Sequence, residues 1–176
     1  MLTDYVAGLA KQKQFELALR LVKLALPIWN DYAREGQRTY RDSVVGLWHN
    51  VDKGFLKNAI ETIEIYLEDG ITKPEHPGIF QQLFSVFVPS STERYRQLVQ
   101  LKQKFLEPIV ALQDMDWILP YEVERVFYSV NNLLAALLGE GETLQGESMI
   151  YVSINQAIDA LETSGTLTFD EINALL

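Results

Sequence analysis

Apolar residues recur at helical spacing along almost the whole chain. Between Phe15 and Arg34 they point in nearly every direction around a helix: Ala18, Leu19, Leu21, Val22, Leu24, Ala25, Leu26, Ile28, Trp29 and Tyr32. Only a narrow polar stripe remains, made of Glu16, Arg20, Lys23, Asn30, Asp31 and Arg34. A helix this greasy is packed on several flanks, so Phe15–Arg34 is predicted to be the central element. Pro27 removes a backbone donor within it and is expected to kink it, and Gly36 marks its end. Phe55–Glu68 shows the cleanest one-sided stripe, Leu56, Ala59, Ile60, Ile63 and Tyr66. A third strong face runs through Val123, Val126, Phe127, Val130, Leu133, Leu134 and Leu137 up to Gly139. It starts behind Pro120, a good first helical residue, with Glu122 and Glu124 placed to favour the helix dipole. Met149–Leu161 repeats the spacing with Ile150, Ile154, Ala157, Ile158 and Leu161.

Capping residues extend the pattern. Thr3 and Asp4 can cap a short helix ending near Lys11. Thr39 and Asp42 have the spacing of a capping box, predicting a helix over Tyr40–Asn50, and Asp52 can cap the helix after it. Ser90 and Glu93 form a second box, opening a helix to about Met115 that Pro108 interrupts. Thr168 and Glu171 box a last short helix ending at Leu176. Ile79–Val88, rich in Phe and Val, is read as a buried helix because no partner strand is in sight. Gly70–Gly78 contains Pro74 and Pro77 and is a loop, the boundary between candidate lobes 1–69 and 79–176. The prediction is an all-α fold: a single domain of about eight helices, stacked as hairpins around a central kinked helix. Lys23, Pro27 and Ile28 recur 81 positions later as Lys104, Pro108 and Ile109, a weak trace of internal duplication.

Composition agrees with a globular domain. The chain has 176 residues, 48% hydrophobic and 22% charged, enough to bury a substantial core without staples. It has no cysteine, which excludes disulfides, thiolate metal sites and a cysteine nucleophile and fits a reducing cytoplasm. The N-terminus lacks the basic and apolar regions of a secretory leader. The longest apolar stretch, Leu17–Trp29, carries Arg20, Lys23 and Pro27 and is unsuited to a bilayer. A soluble, cytoplasmic protein is therefore expected. The net charge of −9 is uneven. Met1–Asn58 carries nine Lys/Arg against six Asp/Glu, whereas Ala59–Leu176 carries six against eighteen. From Glu107 onward Arg125 is the only basic residue. Such a half repels nucleic-acid phosphates and attracts a basic protein partner. The same acids serve equally well as a solvated face that keeps the chain soluble.

Candidate chemistry is sparse. Of two histidines, His76 lies in the Pro-containing loop and His49 sits beside Trp48, three residues before Asp52. On a helix, His49 and Asp52 could meet as a structural link. A metal site built from these two and Glu61 or Glu64 lacks the E-x-x-H and H-E-x-x-H spacings of known helical centres. Ser43 and His49 would be about 120° apart on one helix, too far to activate a nucleophile, and no G-x-S-x-G elbow exists. Gly139, Gly141 and Gly146 follow a helix in a Glu-rich segment, which does not suit a phosphate loop. Asp159–Glu171 lacks the alternating oxygen ligands of a calcium loop and is predicted to be a helix–turn–helix connection. No catalytic residue, metal or cofactor is assigned. Trp29, Tyr32, Tyr40 and Trp48 cluster around the first inter-helix turn. They either close the core there or, with Arg38, Arg41, His49 and Asp52, line a groove for a partner, since Trp, Tyr and Arg are favoured anchors.

Two segments, Leu26-Pro27-Ile28-Trp29-x-x-Tyr32 and Asp42-Ser43-Val44-Val45-Gly46-Leu47-Trp48-His49-x-Val51-Asp52, resemble small all-α bacterial families of uncharacterised function. Among these are helical immunity-type proteins that neutralise polymorphic toxins. The resemblance covers roughly the first 70 residues and implies a non-catalytic, protein-binding role with no site residues to carry over. Three expectations follow. The first is an interaction domain that meets a basic partner through its acidic half. The second is a small helical metal- or ligand-binding enzyme with a pocket near Trp48, His49 and Asp52. The third is a homo-oligomer joined through Ile79–Val88.

Overall fold

A computed structural model describes residues 2–35, 38–68, 90–140, 142 and 146–175. The Gly70–Gly78 loop, with His76, and the Ile79–Val88 helix expected from sequence lie outside the described residues. So does the oligomer interface assigned to that helix.

Seven helices and one small antiparallel sheet form within the described residues. Helix α1 is Leu2–Gly8, and α2 runs from Lys11 to Glu35, starting earlier than the apolar spacing alone predicts. Gln14 ties the junction, its Nε2 donating to the carbonyls of Val6 (2.9 Å) and Leu9 (3.0 Å). Strands β1 (Thr39–Arg41) and β2 (Trp48–Asn50) follow, then α3 (Phe55–Glu68), α4 (Ser90–Gln113) and α5 (Tyr121–Leu138). Helices α6 (Met149–Thr163) and α7 (Phe169–Leu175) complete the chain. The helix continues through Pro27 in α2 and through Pro108 in α4, so Pro108 does not interrupt α4 as expected.

The helix expected over Tyr40–Asn50 is instead a hairpin. Tyr40 pairs with His49, Thr39 with Asn50 and Arg41 with Trp48. Burial alternates along β1, with only Tyr40 turned inward. Asp42 does act as a cap, but for a single turn. Its Oδ1 accepts the backbone N–H groups of Val44 (2.7 Å) and Val45 (2.9 Å). Gly46 then takes a left-handed φ of 71°, and its N–H bonds to the Asp42 carbonyl (2.8 Å). That conformation suits glycine and stops a helix, so the chain returns as β2.

Other local signals formed as expected. Asp52 accepts the Gly54 N–H at its Oδ1 (2.7 Å) and the Phe55 N–H at its carbonyl (3.0 Å), opening α3. Gly139 closes α5 at φ 88°, with Gly139 and Glu140 N–H groups bonded back to Ala136 and Ala135. Thr168 and Glu171 bond reciprocally, the Thr168 N–H to Oε2 (2.8 Å) and the Glu171 N–H to Oγ1 (3.3 Å), which opens α7. The 159–171 stretch is thus the helix–turn–helix connection expected.

Helix α5 lies deepest, with Leu133, Leu134 and Ala135 fully buried, and it packs along α6. Small residues allow the approach: Ser129 and Ser153 are both buried, and the Ser153 hydroxyl donates to the Ser129 carbonyl (2.8 Å). Helix α2 packs against α6, α5 and α3, burying Phe15, Ala18, Leu21, Val22, Ala25 and Trp29. The oily α2 is wrapped as its pattern predicts, while α5 shares the central position. Phe127 of α5 touches the rings of Trp29 (5.9 Å), Phe55 (5.8 Å), Phe105 (5.2 Å) and Trp117 (5.6 Å), joining α2, α3, α4 and the loop after α4. Each such ring removes apolar surface worth about 1.5–3 kcal/mol from water. No helix among the described residues is long and apolar enough to cross a membrane.

Candidate functional site

The six residues singled out by sequence fall in different settings. Trp29 is fully buried, and its Nε1–H donates to the Lys53 carbonyl (2.9 Å). Tyr40 is 4% exposed and stacks between His49 (5.2 Å) and Trp117 (5.4 Å). Burial takes both out of reach of a partner, so these two close the core, the first of the two alternatives that the sequence offers. Tyr32 is half-buried, 6.1 Å from the Trp29 ring, and lines a cleft of about 530 Å³ with Pro27, Asp31 and Glu122. Asp52 is spent on opening α3.

His49 and Asp52 do not form the structural link expected, because His49 lies on a strand. Its Nδ1 faces Glu107 Oε2 of α4 at 3.4 Å, and its ring lies parallel to Tyr40. The helical spacing that would set Ser43 and His49 about 120° apart falls with the helix, since His49 lies on β2. Burial, together with the nearby carboxylates of Glu107 and Asp42, pushes the Tyr40 hydroxyl up to about 12, so the phenol stays protonated. Among the described residues no group of three or more His, Asp or Glu could hold a metal.

Arg38 and Arg41 each reach a backbone carbonyl of the hairpin segment. Arg38 Nη1 donates to the Val51 carbonyl (3.1 Å) and Arg41 Nε to the Gly46 carbonyl (3.3 Å), both bracing the hairpin.

Trp48 is different. It is 73% exposed, on the face of the hairpin opposite His49. The loop at the hairpin tip exposes Val44, Val45 and Leu47 as well. The Ser43 N–H donates to Asp116 Oδ2 (2.7 Å), which joins this tip to the loop after α4 although the two residues are 73 positions apart. That second loop exposes Met115 (75%) and Ile118 (78%) on either side of Asp116. Two loops held together by one charge-assisted bond therefore display six exposed apolar side chains. Asp42 and Asp116 lie within these two loops, and the Arg41 guanidinium lies against Gly46 at the hairpin tip. Isolated exposed apolar residues are ordinary, but a set gathered on adjoining loops with a polar rim has the character of an interaction surface.

Of these six, sequence reading found only Trp48. The run Val44-Val45-Gly46-Leu47-Trp48 carried a usable signal: β-branched and aromatic residues around a glycine suit a hairpin better than a helix. Nothing local ties Asp116 to Ser43.

Met115 holds a left-handed φ of 62°, the one non-glycine residue to do so among those described. It follows the last turn of α4, where glycine is the residue that fits without strain.

The chain matches no family model, no curated protein and no solved structure.

Proposed function

We propose that this chain is a non-catalytic protein-interaction domain that docks a basic partner on the apolar tip of its hairpin and the adjoining loop. The observation that carries the reading is the exposure of Val44, Val45, Leu47, Trp48, Met115 and Ile118 on two loops pinned by the Ser43–Asp116 bond. The net charge of −9, concentrated in residues 59–176, complements a positively charged surface and would steer its approach. The apolar centre would supply the affinity, with Trp48 as the anchor. The immunity-type resemblance makes a toxin domain the first partner to try, in the cytoplasm.

The test places a photo-crosslinking residue at Leu47 and, as a control, at exposed Gln97 of α4. The expected result is one discrete partner captured at position 47 and not at 97. Its binding should fall about tenfold or more between about 50 and 500 mM salt. Equal capture at both positions would overturn the surface, and salt-insensitive binding the basic partner. Capture of a second copy of this acidic chain would replace the reading with self-association.

A further inference from the structure

We propose that the cleft between α4, α5 and α6 is a small-molecule site for a zwitterionic ligand of the amino-acid or dipeptide class, with Arg125 taking its carboxylate. The cleft has a volume of about 450 Å³, within the range of about 300–1,000 Å³ usual for small-molecule sites. Ile109 and Val152 give it apolar wall, and Arg125, Tyr128 and five carboxamide side chains give it polar wall.

A hydrogen-bond chain sets the direction of those carboxamides. Lys102 Nζ lies 2.9 Å from Asn131 Oδ1. An ammonium only donates, so the Asn131 oxygen must face it and the Asn131 amide N–H groups must face away. They meet Asn132 Oδ1 at 3.4 Å, and Asn132 Nδ2 in turn donates to Gln156 Oε1 at 2.8 Å. Every link therefore runs one way, from the half-buried Lys102 to Gln156. Gln156 lines the cleft, and its Nε2 has no hydrogen-bond acceptor among the described residues. The relay delivers a donor polarised by a cation, and each bond strengthens the next.

Arg125 adds the second donor. It is the only basic residue from Glu107 to the end of the chain. Its guanidinium carbon lies over the Tyr121 ring (4.5 Å), and its Nε is buried without a hydrogen-bond partner. The four N–H groups on its Nη atoms are the donors that a ligand in the cleft would meet. A carboxylate is the acceptor that matches it best.

The surroundings decide the ligand's charge. Glu147 lines the cleft and Glu140 lies 3.8 Å from Lys102, so carboxylates stand at and beside the cleft. Residues 59–176 carry six basic side chains against eighteen acidic ones. A bare anion meets that negative field; a zwitterion offers Arg125 the same carboxylate without net charge.

The test is a nuclear magnetic resonance titration of the whole chain, following the Arg125 Nε–H and the Asn131, Asn132, Asn155 and Gln156 amide signals. Three probes share one side chain and differ in charge: glycylleucine, N-acetylleucine and leucinamide. Glycylleucine is expected to shift these signals saturably, with N-acetylleucine about tenfold weaker and leucinamide weaker still. Arg125→Gln is expected to weaken glycylleucine binding at least about tenfold. No saturable shift with any probe in the unmutated chain would overturn the site. N-acetylleucine or leucinamide binding as tightly as glycylleucine would overturn the zwitterion, and undiminished binding by folded Arg125→Gln would overturn the role of Arg125.

Discussion

Two tryptophans on neighbouring elements show how little residue type alone decides. Trp29 is sealed among Trp117, Phe127 and Tyr32 and bonded to a backbone carbonyl, whereas Trp48 stands in solvent. Trp29→Ala should cost about 3–5 kcal/mol in denaturant unfolding, because it opens a cavity and strands the Lys53 carbonyl. Trp48→Ser should change stability by no more than about 0.5 kcal/mol and be felt in partner capture instead. Equal losses would mean that Trp48 packs in the folded chain. Met115 sharpens the point. A left-handed non-glycine residue costs about 1–2 kcal/mol, and glycine gives back part of that gain through its freer unfolded state. Met115→Gly should therefore leave stability unchanged or raise it by about 1 kcal/mol, measured by chemical denaturation, while reducing crosslinking at Leu47. A loss of stability would show that the side chain holds the loop rather than serving a partner. At this scale the sequence revealed the caps at Asp52, Gly139 and Thr168–Glu171, each being settled within a few residues. It could not reveal Asp116 meeting Ser43, since no local pattern records a contact between distant loops.

The helices were legible as elements because one physical rule, an apolar face every three to four residues, governs most of the chain. The hairpin was not, because its opening imitates a helix start. Asp42 caps one genuine turn, and only the left-handed Gly46 ends it. The same cap makes the hairpin tip sensitive to acid. The Val44 and Val45 N–H groups stabilise the ionised Asp42 carboxylate and hold its pKa below the ordinary 3.8. A lowered folded pKa means the stabilisation is complete above the unfolded value and lost as pH falls through the folded one. The Asp42 carboxyl carbon, followed by nuclear magnetic resonance, should accordingly titrate below 3.8. Protection of the Val44 and Val45 amides, taken against the intrinsic exchange rate at each pH, should fall below that point, and Asp42→Asn should blunt the change. A midpoint at or above the ordinary value would mean that the turn forms without the carboxylate.

At the scale of the molecule, the prolines and glycines of residues 70–78 invite a sequence-based division into two lobes, whereas a single core draws on both. One core cluster takes in Val6, Phe15 and Trp29 from the first stretch and Leu98, Phe127, Leu161 and Ile172 from the second. Phe127 joins them most directly, because its ring contacts Trp29 and Phe55 on one side and Phe105 and Trp117 on the other. Helix α2 packs on α5 and α6 as well as on α3, so removing either lobe would expose apolar rings on the other. A core shared in this way unfolds as a unit. Thermal and urea unfolding should each give a single transition. Far-ultraviolet circular dichroism, which reports the helices, should coincide with tryptophan fluorescence, which reports Trp29 and Trp117 at the junction. Phe127→Ala should move both curves together, by about 3–5 kcal/mol, rather than splitting them. Two separated transitions would mean that each lobe keeps its own core and that Phe127 only fills the contact between them. The charge asymmetry would then belong to separable parts, and the acidic half could be tested for partner binding by itself.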